Sequence, residues 1–430
     1  MESKGDFVIQ KIFFENFKSF QKSELKVEQI SVLMGSNASG KSNAIEGIRI
    51  LADISTGQPL SIILDGAKNM EGAVRGGSKA CARFNSDYFI LGCTCTCDGY
   101  ELEYRIRVCV EKGVYSAQEQ LERVYSEGKR ENIFIMRAVD TESSAAIADC
   151  RSDRFDYDHR EIKVNRFSAA LPQLENRLPT DSKVLVQSAK DIHALLLCLE
   201  KIVFLNPVPS KMRDYSRVNE IKLRSDAENI SAVLYDLCVN QPDGNENKGR
   251  LLNIIHALPE NEVDGIGFVT TALDDVMLTL SERYSEKPMD AKRLSDGTLR
   301  CIGIAAALIT AEPKGILLIE EVDNGIHPSR AKILLQMMIK LAKEKQLAIV
   351  TTTHNPVLLD AVQGEFIEGV SLCYRNPMDG SSEIRQIVEM EDYLRLAAKG
   401  SIGKLVIGDE FVKAIHDNGA QKKSYDWLGI

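Results

Sequence analysis

The segment Gly35-Ser36-Asn37-Ala38-Ser39-Gly40-Lys41-Ser42 constrains this chain more than any other. It follows a short apolar run, Gln29 to Met34, that reads as a buried strand. It leads into a helix-like stretch from Asn43 to Ala52. Strand, glycine-rich turn and helix in that order form a phosphate cradle. Gly35 and Gly40 let the backbone curl so that successive N–H groups point inward around an anion. The new helix adds its positive end. Lys41 is then the side chain that reaches the β- and γ-phosphates, Ser42 ligates Mg²⁺, and Gly35 to Asn43 form the nucleotide-binding stretch.

Three more segments follow in a fixed order. Leu294-Ser295-Asp296-Gly297-Thr298-Leu299-Arg300 precedes an apolar helical run, Ile302 to Thr310. Ile316-Leu317-Leu318-Ile319 is continuously apolar, as expected of a strand in a parallel sheet covered on both faces. It ends in Glu320-Glu321. At such a strand end the first carboxylate holds magnesium, and the second orients the attacking water and accepts its proton. Leu347 to Val350 reads as a third buried strand and runs into Thr351-Thr352-Thr353-His354. A histidine there can donate a hydrogen bond to the γ-phosphate as charge moves off it. Standing alone, it would be an ordinary polar residue.

In this order the four segments resemble those of ABC-type ATPases of the SMC/RecF branch. The resemblance is strongest to the compact AAA-family ATP-binding proteins of bacterial anti-phage defence systems, and it runs from Ile9 to about Asp360. It implies an α/β fold: a P-loop ABC-type ATPase head with a mixed or parallel nucleotide-binding sheet, an antiparallel β lobe and a helical lobe. ATP and Mg²⁺ are the implied cofactors, with Lys41, Glu321 and His354 catalytic and Ser42 and Glu320 on the metal. Ser295, with Asp296 and Gly297 at the start of the next helix, would cap the γ-phosphate of an ATP held by a second copy. Lys18 and Ser19, in Asn16 to Phe20, match a segment near the nucleotide base, and Val74 to Ser78 match the loop before the antiparallel lobe. The implied partners are a second copy of the chain in an ATP-dependent homodimer, or stacks of such dimers, and a separate effector, a toxin or nuclease. A RecF-like DNA-repair ATPase is the alternative, and a scaffold that binds ATP with negligible hydrolysis is a third reading.

The chain departs from the family pattern at several places. Asp296 and Thr298 stand where Gly and Gln are usual, Glu320 where Asp is commoner, and His327 in place of the D-loop aspartate. Gln118 and Gln120 are candidates for the Q-loop glutamine or polar residues on a helix surface.

Composition narrows the remaining classes. At 430 residues the chain has room for two or three compact units, and its 44% hydrophobic and 27% charged content suits a globular protein. No apolar run approaches the ~18 residues that span a bilayer, and the first residues lack the features of a signal peptide. A cytoplasmic location without membrane contact is the expectation. The net charge of −9 offers no long basic block for phosphate contacts. Lys201, Lys211, Arg213, Arg217, Lys222 and Arg224 form a local basic excess that fits a DNA-facing stripe or, better, a solvated surface. Cys93, Cys95 and Cys97 alternate along a strand-like run. That spacing favours packing on one face over zinc, which takes C-x₂-C turns.

Strict alternation from Tyr100 to Val110, joined by Asp98-Gly99 to Tyr88–Cys97, predicts an antiparallel hairpin. Phe7 to Lys26 reads as paired strands, and 151–177 as surface loops with a short strand or helix. Helical patterns cover Asp181 to Leu205 and Ala227 to Leu258, with a break at Asn206–Pro209 and a turn at Gln241–Asn245. Beyond His354, strand character from Asp360 to Val388 gives way to a helix from Glu391 to Lys399. The expected division is 1–180 (P-loop and antiparallel subdomain), 181–293 (helical lobe), 294–400 (the signature, acidic-pair and histidine half) and 401–430 (tail).

Overall fold

The computed structural model describes residues 8–66, 74–97, 99–138, 143–151, 159–256, 263–283, 287–362, 364–408 and 410–415. The chain is α/β and groups into two compact units. One comprises Met1–Glu28, Gly35–Ile202 and Ser371–Met390; the other comprises Gln29–Met34, Val203–Val370 and Glu391–Ile430. Strands and helices are numbered along the whole chain.

The first unit is built on strands β1 (Val8–Phe17), β2 (Phe20–Lys26), β4 (Tyr88–Cys97), β5 (Tyr100–Cys109), β6 (Tyr115–Tyr125), β7 (Arg130–Ala138), β8 (Ala145–Arg151) and β9 (His159–Asn165). The returning hairpin β17 (Val370–Arg375) and β18 (Ser382–Gln386) joins them. Their order is β17-β18-β2-β1-β4-β5-β6-β7-β8-β9. Neighbours are antiparallel except β18 beside β2, so the sheet is mixed. The helices of this unit are α1 (Lys41–Ile54), α2 (Leu60–Asp65), α3 (Ala170–Leu174) and α4 (Lys183–Glu200).

Helix α1 lies close on β1. A Cβ at Gly47 would stand 2.6 Å from the Phe14 ring, which stacks on Phe20 at 5.1 Å between centroids. Only glycine admits that approach, and it seats the helix on the apolar floor formed by Phe14, Phe17 and Phe20.

The predicted hairpin is present, with Cys97 opposite Tyr100 and alternate residues of β5 buried; Asp98 lies outside the described residues. Cys93 and Cys95 are fully buried. Gln118 and Gln120 sit on a strand, β6, and not on a helix. Both pair across to β5 and β7, so sheet pairing overrides the local helical reading.

The second unit holds β3 (Ile30–Met34), β10 (Ile202–Leu205), β15 (Ile316–Ile319) and β16 (Ala348–Thr352), in the order β10-β15-β16-β3. β15, β16 and β3 run parallel and are wholly buried, which explains their unbroken apolar sequences. A smaller sheet, β11 (Ser216–Arg217), β13 (Asp275–Glu282) and β12 (Val263–Thr270), has β14 (Met289–Asp290) paired to β13. The helices here are α5 (Pro209–Met212), α6 (Ile230–Tyr235), α7 (Gly244–His256), α8 (Asp296–Thr310), α9 (Pro328–Lys345), α10 (Pro356–Ala361), α11 (Tyr393–Ala397) and α12 (Ile402–Ile407).

Two helical expectations change here. The end of the 181–205 run is strand β10, because Ile202-Val203-Phe204-Leu205 is β-branched and aromatic enough to pair beside β15. The 181–293 stretch is not wholly helical: its last third forms the β12–β13 hairpin, turned at Thr271–Asp274 with Asp274 at φ 59°. Among the described residues no helix is long and apolar enough to cross a membrane.

Candidate functional site: a P-loop and a capped signature helix

The carboxyl ends of parallel β3, β15 and β16 share one edge of their sheet. Met34, Glu320 and Thr353 therefore leave it on the same side, the edge where open α/β sheets bind ligands. Thr353 N–H donates to the Leu33 carbonyl at 3.2 Å and ties the histidine-bearing turn to the end of β3.

Gly35 follows Met34 and opens the loop in the first unit. Its φ of 147° belongs to a region that only glycine occupies freely, and a Cβ there would stand 2.1 Å from the Cys373 carbonyl oxygen. Gly40, at φ 119°, admits no Cβ either: Ser382 Oγ is 2.6 Å away from where it would stand. Ala38 adopts φ 59° between them. Lys41 is 6% exposed, and its Nζ donates to the carbonyls of Gly35 at 2.9 Å and Ser36 at 2.8 Å. The ammonium is thus folded over the loop. Ser39 Oγ is buried with no hydrogen-bond partner among the described residues, and it lies 3.0 Å from the absent Gly35 Cβ.

The back of this loop is gripped by the β17–β18 hairpin. Arg375 Nε donates to the Ala38 carbonyl at 2.9 Å. Ser382 Oγ donates to the Ser39 carbonyl and lies 2.7 Å from Ser19 Oγ, and Cys373 Sγ donates to the same Ser39 carbonyl at 3.2 Å. Asn43 Nδ2 donates to Ser19 Oγ at 2.7 Å, so Ser19 and Asn43 are brought together at the start of α1. Lys18, at φ 49°, pairs with the buried Glu46 carboxylate and donates to the Arg75 carbonyl at 3.2 Å. Arg75 N–H donates to the other Glu46 oxygen at 3.3 Å. The 74–78 loop is therefore anchored to α1 through one acid.

In the second unit, Glu320 is 9% exposed at the end of β15. Glu321 takes φ 50°. Its N–H donates to Thr352 Oγ1 at 2.8 Å, and Asn324 Nδ2 donates to its carboxylate at 3.1 Å. Thr353 Oγ1 donates to Asp323 at 2.8 Å. His354 is exposed in the turn before α10, and that turn is fixed by Asn355 N–H donating to Thr353 Oγ1 at 2.9 Å. His327 gives its carbonyl to the first N–H groups of α9, from Arg330 at 2.9 Å and Ala331 at 3.0 Å.

Ser295 caps α8: its Oγ accepts from the Thr298 N–H at 3.1 Å and lies 2.8 Å from Thr298 Oγ1. Ser295 and Asp296 are exposed, whereas Gly297 is buried and sits 3.1 Å (to its would-be Cβ) from the Gly325 carbonyl. Lys18, Ser19 and Gly35–Asn43 belong to the first unit, and Ser295, Asp296, Gly297, Glu320, Glu321 and His354 to the second.

Sequence reasoning passes over Ser382, Arg375, Thr352, Asp323 and Asn324 as site residues, and over Arg213 as a neighbour of the signature turn. Thr352 lies within the Thr351–His354 segment and Arg213 within the basic excess, but no sequence pattern points to the contacts that these residues or the others make.

Residues 216–360 match a family model described as "AAA domain, putative AbiEii toxin, Type IV TA system". A curated relative, the methionine import ATP-binding protein MetN of Clostridium tetani, is 29% identical over 121 residues. That match takes in 28% of this chain and spans 34% of the relative's length. Among solved structures, a SmcHead bound to the C-winged helix domain of ScpA covers 88% of this chain and 97% of its own at 13% identity, with a TM-score of 0.46. The SMC head domain from Thermotoga maritima covers 88% and 98% at 14% identity, with a TM-score of 0.40.

Proposed function

We propose that the chain is an ATP-hydrolysing switch. Two copies close head to tail over two ATP molecules, and closure controls a separate effector, a toxin or nuclease, in anti-phage defence. The observation that carries the reading is the P-loop itself: a tight turn between a buried parallel strand and a long helix, with Lys41 folded over it and no room for a side chain at Gly35 or Gly40. The match to an AAA domain supports the ATPase class, and its description as a putative toxin-system component fits the defence role.

In this reading Gly35 to Asn43 bind the triphosphate, and Lys41 leaves its carbonyl partners for the β- and γ-phosphates. The Ser42 hydroxyl and the Glu320 carboxylate are hard oxygen donors, the kind Mg²⁺ takes, and the bound ion would neutralise phosphate charge. Glu321, steadied by Asn324, orients the attacking water and accepts its proton. His354 donates to the γ-phosphate. Ser295 and the first N–H groups of α8 cap the γ-phosphate of the other copy.

The DNA-repair alternative draws less support. Of the basic residues between 201 and 224, Lys211 pairs with Asp226, Arg213 with Asp296, Arg217 with Asp275 and Arg224 with Glu228. These charges are answered within the protein, which weakens a phosphate-tracking stripe.

The test is size-exclusion chromatography with ATP. Glu321→Gln should accumulate as an ATP-bound dimer, and Lys41→Ala should stay monomeric and bind no nucleotide. Identical profiles for these two variants and the parent would sink the proposal.

A further inference from the structure

The α8 turn carries an acid where an incoming phosphate would least tolerate one. Asp296 is the first residue of the helix, and its side chain is 66% exposed. An acid at a helix start is favourable for the helix, since it answers the positive end. It also cancels the field that would draw a phosphate to the same N–H groups.

The structure supplies a counter-charge from elsewhere. Arg213 places one Nη atom 2.5 Å from Asp296 Oδ1, and the same nitrogen donates to the Leu294 carbonyl at 2.9 Å. Arg213 therefore holds both the acid and the backbone just before Ser295. Its own position is set from beneath. Pro207 and the fully buried Met212 both approach to 3.3 Å from where a Cβ on Gly303 would stand, two turns into α8. The break at 206–209 and the short α5 thus deliver the guanidinium to the turn. The second unusual residue, Thr298, is also accounted for, because its hydroxyl and N–H both engage Ser295 Oγ.

We propose that Arg213 is a positioning residue of the signature turn: it draws the Asp296 carboxylate aside and neutralises it, so that Ser295 and the α8 N-terminus can accept the terminal phosphate of a nucleotide. This deepens the functional reading above and rests on it. A guanidinium suits the role because it can hold a carboxylate and a carbonyl at once and keep a donor for a phosphate oxygen.

The experiment is a double-mutant cycle in the Glu321→Gln background, reading the ATP concentration that gives half-maximal dimer by light scattering. Arg213→Ala should raise that concentration roughly tenfold, as expected for an uncancelled charge near a phosphate in a partly screened site. Asp296→Gly should lower it. In the double variant the Arg213→Ala penalty should fall to less than about threefold, because the charge it answers is gone. A penalty that persists undiminished without Asp296 overturns the proposal, since Arg213 would then act through packing or on the phosphate itself and not through the acid. If Arg213→Ala does not fold, Arg213→Lys and Asp296→Asn decide it: the lysine should stay near the parent and the amide should lower the ATP requirement, and no change with the amide overturns the idea. A Glu321→Gln parent that forms no dimer with ATP overturns the functional reading and this inference together. A dimer indifferent to all of these substitutions overturns only this one.

Discussion

The starts of α1 and α8 are both helix N-termini preceded by a turn, yet they are held in opposite ways. The α1 turn is locked from behind by backbone and buried hydroxyls, tightly enough that neither Gly35 nor Gly40 could carry a methyl group. The α8 turn is capped locally by Ser295 and steadied by a solvent-facing ion pair. The contrast is one of rigidity against openness. The α1 turn has its shape fixed by partners packed behind it, whereas the α8 turn has its charge answered and its face left to solvent. In the proposed reading the first suits an anion held within the chain and the second a ligand brought by another copy.

The contrast breaks most visibly at Gly35. Gly35→Ala forces a φ of 147° on a residue with a Cβ and drives it into the Cys373 carbonyl. It should cost about 3 kcal/mol or more and abolish nucleotide binding. Calorimetric titration with ATP and a urea midpoint would show it, and near-wild-type values would mean the loop is not locked.

A third helix start shows what an acid does when water is excluded. Glu119 on β6 is completely buried, and its carboxylate accepts the N–H groups of Ala170 at 2.6 Å and Leu171 at 2.7 Å, with Tyr104 OH at 3.0 Å. Burial pushes its pKa up from 4.5 to about 7, against those hydrogen bonds. The folded state therefore holds this proton more tightly than the unfolded chain. The stability it confers is complete below about 4.5 and is lost as the pH rises through about 7, a swing of about 3 kcal/mol at most. Denaturation midpoints of Glu119→Gln, offset at all pH values by the poorer acceptor, should lack that slope. Parallel profiles for the two proteins would show that Glu119 holds its proton no more tightly in the fold than in the unfolded chain.

Smaller effects sharpen the comparison. Ser382→Ala removes the hydroxyl that joins the Ser39 carbonyl to Ser19, and should cost about 1 kcal/mol with a several-fold loss of ATP affinity. Gly297→Ala places a Cβ 3.1 Å from the Gly325 carbonyl, a contact that a shift of a few tenths of an ångström relieves. Because alanine also favours the helix, the net change should stay under about 1 kcal/mol. If thermal melts found Gly297→Ala as damaging as Gly35→Ala, the two turns would not differ as described.

Much of this architecture is legible from residue order. The buried strands β3, β15 and β16 show as short apolar runs, the β4–β5 hairpin as strict alternation around Asp98-Gly99, and the start of α8 as Ser295 before an apolar helix. What stays hidden depends on distant partners. Gln118 and Gln120 look helical until β5 and β7 flank them. The Ile202–Leu205 run looks like the end of a helix until β15 offers it hydrogen bonds. The polar side chains around the candidate site, Ser382, Arg375, Asn324 and Arg213, have no local pattern at all. Only folding brings them to their partners.

That dependence on distant partners sets an order of events during synthesis. The loop from Gly35 to Ser42 is made early, but the serine and arginine that brace it lie 343 and 337 residues downstream of their contacts. A nascent chain emerging from the ribosome therefore carries this loop through more than three hundred further residues of synthesis before the brace exists. A truncated product ending short of Arg375 would hold every residue of the loop and still lack the clasp that gives it shape.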